Sequence, residues 1–109
     1  MINTGFDKNL FTCEGNLPQD VEFKKIKTAN GDKEIAFFSV CTCRKSKEKS
    51  VSDRHSFVVK GELINSESLK SLKKGMRVQA EGVLTYVKRE GAKFPSAEIQ
   101  CTSITVIRK

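Results

Sequence analysis

The chain has 109 residues, enough for one small core and one domain. Its 38% hydrophobic and 30% charged residues fit a folded globular chain and exclude a disordered one, and no apolar run approaches the ~18 residues of a membrane span. Twenty Lys and Arg against thirteen Asp and Glu give a net charge of +7, which favours a polyanionic partner, nucleic acid first and an anionic membrane surface second.

Taken in order, Leu10-Phe11-Thr12-Cys13-Glu14 alternates as a first strand, with Phe11 and Cys13 inward, and Gly15-Asn16-Leu17-Pro18 breaks or bends it. Residues 21–27 resume as a strand. Asn30-Gly31 is a hairpin signal, because both central residues of such a turn need positive φ, so 21–27 and 33–43 should pair antiparallel. Side chains alternate along a strand. Phe38, Val40 and Thr42 therefore share one face of this second strand, and Ile35, Phe37, Ser39, Cys41 and Cys43 share the other.

Residues 44–54 read as a polar, basic, mobile loop, with Arg44, Lys45, Lys47, Lys49 and Arg54 against only Glu48 and Asp53. Phe57 and Val59 then alternate with Ser56, Val58 and Lys60 in a third strand. Between Gly61 and Gly75 the period changes. Asn65 or Ser66 can cap a helix of about two to three turns, with Leu69 and Leu72 on one face, Lys70, Lys73 and Lys74 in the closing turns, and Gly75 to end it. The helix lysines suit a solvated face. Residues 76–87 form the longest alternating run, with Val78, Ala80, Leu84 and Tyr86 on one face and Gly82 permitting a sharp bend. Tyr86 is thus expected in the core or at its rim. Residues 88–93 make a basic hairpin, and 97–101 begin a last strand that continues through 104–107 after a bulge.

Five short strands with one helix between the third and fourth give an all-β chain with the element order of the OB-fold, a five-stranded Greek-key barrel. SH3-like barrels and other small β domains compete on element order alone.

Particular residues narrow the choice. Gly15-Asn16-Leu17 with Asp20-Val21-Glu22 resembles the G-N-L-x-x-D-x-E opening of the bacterial single-stranded DNA-binding protein family. Phe38-Ser39-Val40 resembles its F-S-V-A strand. His55, Phe57-Val58-Val59 and Gly61-x-Leu63 resemble its W-H-R-V-V-x-F-G-K-L segment. Leu72-Lys73-Lys74-Gly75, Val78 and Glu81-Gly82-x-Leu84 resemble its L-x-K-G-x-x-V-x-V-E-G-x-L block. The matches keep their order over about residues 10–107. The resemblance implies an OB-fold, non-catalytic binding of single-stranded DNA in replication, recombination or repair, and assembly into homodimers or homotetramers.

The sequence departs from that family where it stacks bases on aromatics. Arg54 stands where W precedes the histidine, Lys60 where F precedes Gly61, Arg89 follows Lys88 where W is frequent, and Ser46 lies near the loop tryptophan; the chain has no Trp. The chain stops at Lys109 without the family's acidic tail, so no tail-mediated partner recruitment is expected. The pattern resembles a divergent, short member, of the kind phages and mobile elements encode, or primosomal replication protein N.

The expected DNA-binding residues are Phe37, Arg44, Lys45, Lys47, Lys49, Arg54, Lys60, Lys88, Arg89, Lys93 and Phe94, with Phe94 the best-exposed aromatic. Exchanging stackers for cations should shift binding toward phosphate electrostatics and stronger salt dependence. The resemblance places His55 near a subunit contact, and Cys41, on the face opposite the barrel, is assigned there too. Phe37 fits a base platform or a subunit contact equally.

The chain is expected to form one domain over 1–109, with 1–9 flexible, and to be cytoplasmic and nucleoid-associated, since its N-terminus has no signal-peptide core. In that reducing interior Cys13, Cys41, Cys43 and Cys101 should stay thiols. No C-x-x-C pair is present, so neither metal nor cofactor is expected. No nucleophile–base pair or phosphate-cradling glycine loop is visible, which speaks against an enzyme. Two alternatives stay open: a replication accessory domain acting through protein contacts, and a single-stranded RNA binder.

Overall fold

A computed structural model describes residues 7–88 and 90–108. Six strands run in the order β1 (Phe11–Asn16), β2 (Glu22–Thr28), β3 (Gly31–Ser46), β4 (Lys49–Val59), β5 (Arg77–Val87) and β6 (Ser96–Arg108), with α1 (Glu67–Lys70) between β4 and β5. They form one sheet in the order β1-β5-β6-β4-β3-β2. A further β1–β3 pairing, Asn16 with Cys41, closes five of them into a ring. β1 and β2 are two halves of the barrel's first strand, parted at Leu17-Pro18. This is the OB-fold.

Closure rests on Gly15. A Cβ there would collide with the backbone carbonyl of Cys41, so only glycine lets β1 cross this close to β3. The break that follows is not idle. Leu17 turns into the barrel and is almost fully buried. The Leu17 N–H donates to the Met76 carbonyl at 2.9 Å, and the Leu17 carbonyl accepts from the Gly75 N–H at 2.9 Å. Asp20 Oδ1 accepts from the Lys74 N–H at 2.8 Å and holds the same corner.

The core is the inner face of each strand. Ala36, Phe38 and Val40 on β3 meet Phe57 and Val59 on β4, Val78 and Ala80 on β5, and Cys101 and Ile104 on β6. Phe38 and Phe57 stack with centroids 5.0 Å apart and an interplanar angle of 2°. Leu69 and Leu72 cap one end of the barrel.

Four expectations change. Residues 44–54 are not a loop: β3 and β4 stay paired from Ala36↔Val59 to Ser46↔Lys49, leaving Lys47-Glu48 as the turn of a long ribbon. Lys47 takes φ 56° there. The helix is shorter than expected, one α turn after a 3-10 turn over Gly61–Asn65, because the chain must leave it to bring Gly75 against Leu17. Ser66 is its cap, its side chain accepting from the Leu69 N–H at 3.2 Å. The β2–β3 turn is centred on Ala29-Asn30, with Thr28 facing Gly31. Gly31 rather than Asn30 takes positive φ, which moves the register by two residues and leaves every side chain on its expected face. Finally, Tyr86 is 68% exposed, since β5 outruns the barrel. The bulge expected in the last strand is present: Gly82 faces Cys101 and Glu81 faces Ser103, which leaves Thr102 over.

Candidate functional site

The outer face of β3 and β4 is where the sequence's strand alternation leaves side chains that the barrel does not use. Register sets Phe37 beside Val58, Ser39 beside Ser56, Cys41 beside Arg54, Cys43 beside Ser52 and Lys45 beside Ser50. Cross-strand partners share a face. Phe37 and Ser39 are half-buried, and Arg54 and Lys45 are exposed. The Ser39 and Ser56 hydroxyls are 3.4 Å apart.

Residues 37–39 and 56–58 of this strip are the floor of a groove of about 260 Å³. One wall comes from Gln19, Asp20 and Glu22, the other from Ala97 and Glu98 at the start of β6. The walls follow from topology. β2 flanks β3 on one side, with Glu22 opposite Phe37, and β6 flanks β4 on the other through Phe57↔Ile99 and Val58↔Gln100.

Cations stand at both ends of the floor. Arg54 and Lys45 lie toward the ribbon. Toward the other end Lys24 Nζ sits 5.5 Å from the Phe37 ring centroid and 3.5 Å from Glu22 Oε1. Beyond it Lys33 and Lys60 line a second depression of about 450 Å³ with Ile26, Ile35 and Ile64. Lys33 to Lys45 spans about 40 Å at the rise of a strand.

The residues assigned from the sequence therefore fall into four groups. Phe37, Lys45 and Arg54 share the outer face, with Cys41 beside Arg54 and Lys60 at the far end. Lys47 and Lys49 sit at the ribbon tip. Arg44 lies on the ribbon's other face, where its Nε donates to Asp53 Oδ2 at 2.7 Å. Lys88, Lys93 and Phe94 belong to the β5–β6 connection; Phe94 is 78% exposed, just before the wall residues Ala97 and Glu98. Arg89 lies outside the described residues. His55 faces inward, half-buried, with its ring 5.2 Å from that of Phe11 and its Nε2 sharing a 2.9 Å hydrogen bond with the Thr42 hydroxyl.

The sequence reading missed Lys24 and Lys33 as groove cations and Glu22 and Glu98 as groove walls. The signal for the first three was the hairpin register: a turn one residue earlier than Asn30-Gly31 puts Glu22, not Lys24, opposite Phe37. The four cysteines do not gather. Cys13 and Cys101 face the core, and Cys41 and Cys43 face outward. Burial raises the Cys13 thiol and pushes Cys101 up to about 11.

No family model matches the chain, and no curated protein matches it. Solved structures do. The Plasmodium falciparum SSB in complex with ssDNA superposes with a TM-score of 0.75 at 24% identity, over 96% of this chain and 99% of that one. A small single-stranded DNA-binding protein from Streptomyces coelicolor superposes with a TM-score of 0.60 at 21% identity, over 94% of this chain and 95% of that one. Over nearly its whole length, the chain has the OB-fold of these proteins.

Proposed function

We propose that this domain binds single-stranded DNA, without catalysis, along the outer face of β3 and β4. One observation carries the reading: an OB-fold strip with a half-buried phenylalanine at its centre has cationic side chains at both ends. A base laid on Phe37 gains about 1–3 kcal/mol of stacking. Lys24, Lys33 and Lys60 on one side and Lys45 and Arg54 on the other are placed to take phosphates, with Lys47 and Lys49 extending the track along the ribbon. Lys88, Lys93 and Phe94 offer a second arm beside the groove. The groove's aromatic floor suits an unstacked base, which a duplex does not present.

The fold supports the reading too, since the Plasmodium falciparum structure of this fold was solved with ssDNA. Phosphate contacts outweigh stacking here. If the five groove cations each neutralise one phosphate, log K falls with log salt at a slope of about −3.5. A role in replication, recombination or repair follows from the same activity. Among the described residues β2 is paired only with β3, and it is exposed along nearly all its length, an edge on which a second copy can pair to give a homodimer or homotetramer.

Fluorescence anisotropy with labelled single-stranded and duplex oligonucleotides at two salt concentrations tests the proposal. Preference for the single strand, with a slope near −3.5, supports it. Equal affinity for duplex, or a slope shallower than about −1, refutes it.

A further inference from the structure

The groove beside Phe37 has the wrong charge for a simple phosphate track. Its walls carry Glu22 on one side and Glu98 on the other, and between them the floor offers Phe37, Val58 and the Ser39 and Ser56 hydroxyls. Asp20, also in the wall, is occupied by the Lys74 N–H. The other two carboxylates border the aromatic floor from opposite sides, because β2 and β6 flank β3–β4, and Glu22 Oε1 already pairs with Lys24 Nζ at 3.5 Å, which leaves its second oxygen and both of Glu98's to accept. A phosphate lying here would meet the Glu98 carboxylate on one flank and, on the other, a Lys24 ammonium already shared with Glu22. A strand that follows the cations must therefore turn its phosphates out toward Arg54 and Lys24 and its base in toward Phe37.

A carboxylate accepts hydrogen bonds and donates none. A base entering the groove edge-first toward Glu22 or Glu98 is favoured only if that edge donates. Guanine presents N1–H and the 2-amino group side by side, a match for one carboxylate's two oxygens, as Arg matches a carboxylate bidentately. Cytosine and adenine present one amino group each beside an acceptor, and acidic side chains accept from cytosine N4 in duplex readout. Thymine presents a single N3–H between two carbonyl oxygens, which face the carboxylate with like partial charge.

We propose that the groove is a nucleobase subsite that selects amino-bearing bases, guanine first and thymine last, with Glu22 and Glu98 as the reading side chains. The subsite rests on the single-strand reading above and gives it a composition preference. Lys24, held by Glu22 over the Phe37 ring, marks where the base's 5′ or 3′ phosphate leaves the groove.

The test uses the whole chain and short dT oligonucleotides whose one central residue is dG, dI or dT, titrated by anisotropy. The central dG oligomer should bind about tenfold tighter than all-dT. The dI oligomer, which lacks the 2-amino group, should fall between them. Glu22→Gln and Glu98→Gln keep side-chain size but add donors, and they should shrink the dG advantage below about threefold, with dT gaining most because its carbonyl oxygens then meet an N–H. Equal binding of dG and dT by the wild type overturns the subsite and leaves single-strand binding standing. So does a uniform rise for every oligomer in the Gln variants, since the carboxylates then act only as bulk charge. Failure of every oligomer to bind overturns both readings.

Discussion

β3 and β4 form one ladder with two fates. From Ala36↔Val59 to Val40↔His55 its inner side chains are buried against the rest of the barrel, His55 half so; from Thr42↔Asp53 to Ser46↔Lys49 the same face is half-buried and then open to solvent. The backbone pairing is identical in both halves, so the ladder does not distinguish them. Side chains do. Ala36, Phe38 and Val40 give way to Thr42, Arg44 and Ser46, and the change falls at the Thr42–His55 hydrogen bond, where the barrel ends. In the first half stability comes from excluding water. In the second it comes from the ladder and exposed side-chain pairs such as Arg44–Asp53, so the ribbon is free to carry charge, and changes there should alter binding more than folding.

The largest test of that division is Phe57→Ala. Phe57 is fully buried between Phe38 and Phe11, and truncation should cost about 3–5 kcal/mol in urea unfolding. DNA affinity should change only through the folded fraction. Gly15→Ala comes next. Its Cβ meets the Cys41 carbonyl at the point where the ring closes, and overpacking should cost about 1–3 kcal/mol or open the β1–β3 junction.

The barrel half also predicts a pH response. Cys101 is buried and its thiol is pushed up from 9.0 to about 11, so above pH 9 the unfolded chain releases a proton that the folded chain retains. The folded state then binds more protons, and stability falls as pH rises from about 9 toward 11 before levelling. Cys101→Ala should flatten that decline in thermal unfolding followed across this window. A maleimide should label exposed Cys43 well before Cys101 in the folded protein.

The ribbon half gives the smaller effects. Arg54→Ala should leave stability within about 0.5 kcal/mol, yet make the salt slope shallower by about 0.7. Arg44→Ala is the sharper comparison. It breaks an exposed ion pair with Asp53, which costs about 0.2–1 kcal/mol. Because Arg44 lies on the opposite face of the ribbon from Arg54, its removal should change the salt slope by less than half as much.

How much of this was legible beforehand follows the same division. Alternation exposed the barrel strands, because each has one buried face: Phe38 and Val40 inward with Phe37 outward needed only parity. Ser66, Gly75 and the bulge before Ile104 were legible through local chemistry as well. The ribbon was not, since a strand pair wet on both faces carries no hydrophobic period. Arg44 to Arg54 has the composition of a loop, and its turn uses Lys47 at positive φ in place of a signalling glycine. Tyr86 has the parity of Val78 and Leu84 but lies past the last residue that could cover it. The groove walls required pairing across distant segments. Glu98 reaches the floor only because β6 joins β4 in parallel at Phe57↔Ile99, which no local pattern encodes.

The most direct test of the outer face is a two-dimensional amide NMR titration of the labelled chain with a short single-stranded oligonucleotide. Perturbations should centre on Phe37, Ser39, Cys41, Arg54, Ser56 and Val58 and extend to Lys24 and Lys45, with Leu69, Leu72 and the α1 end of the barrel unmoved. Perturbations centred on α1 and the Lys70–Lys74 stretch, with the β3–β4 face silent, would contradict binding along the outer face.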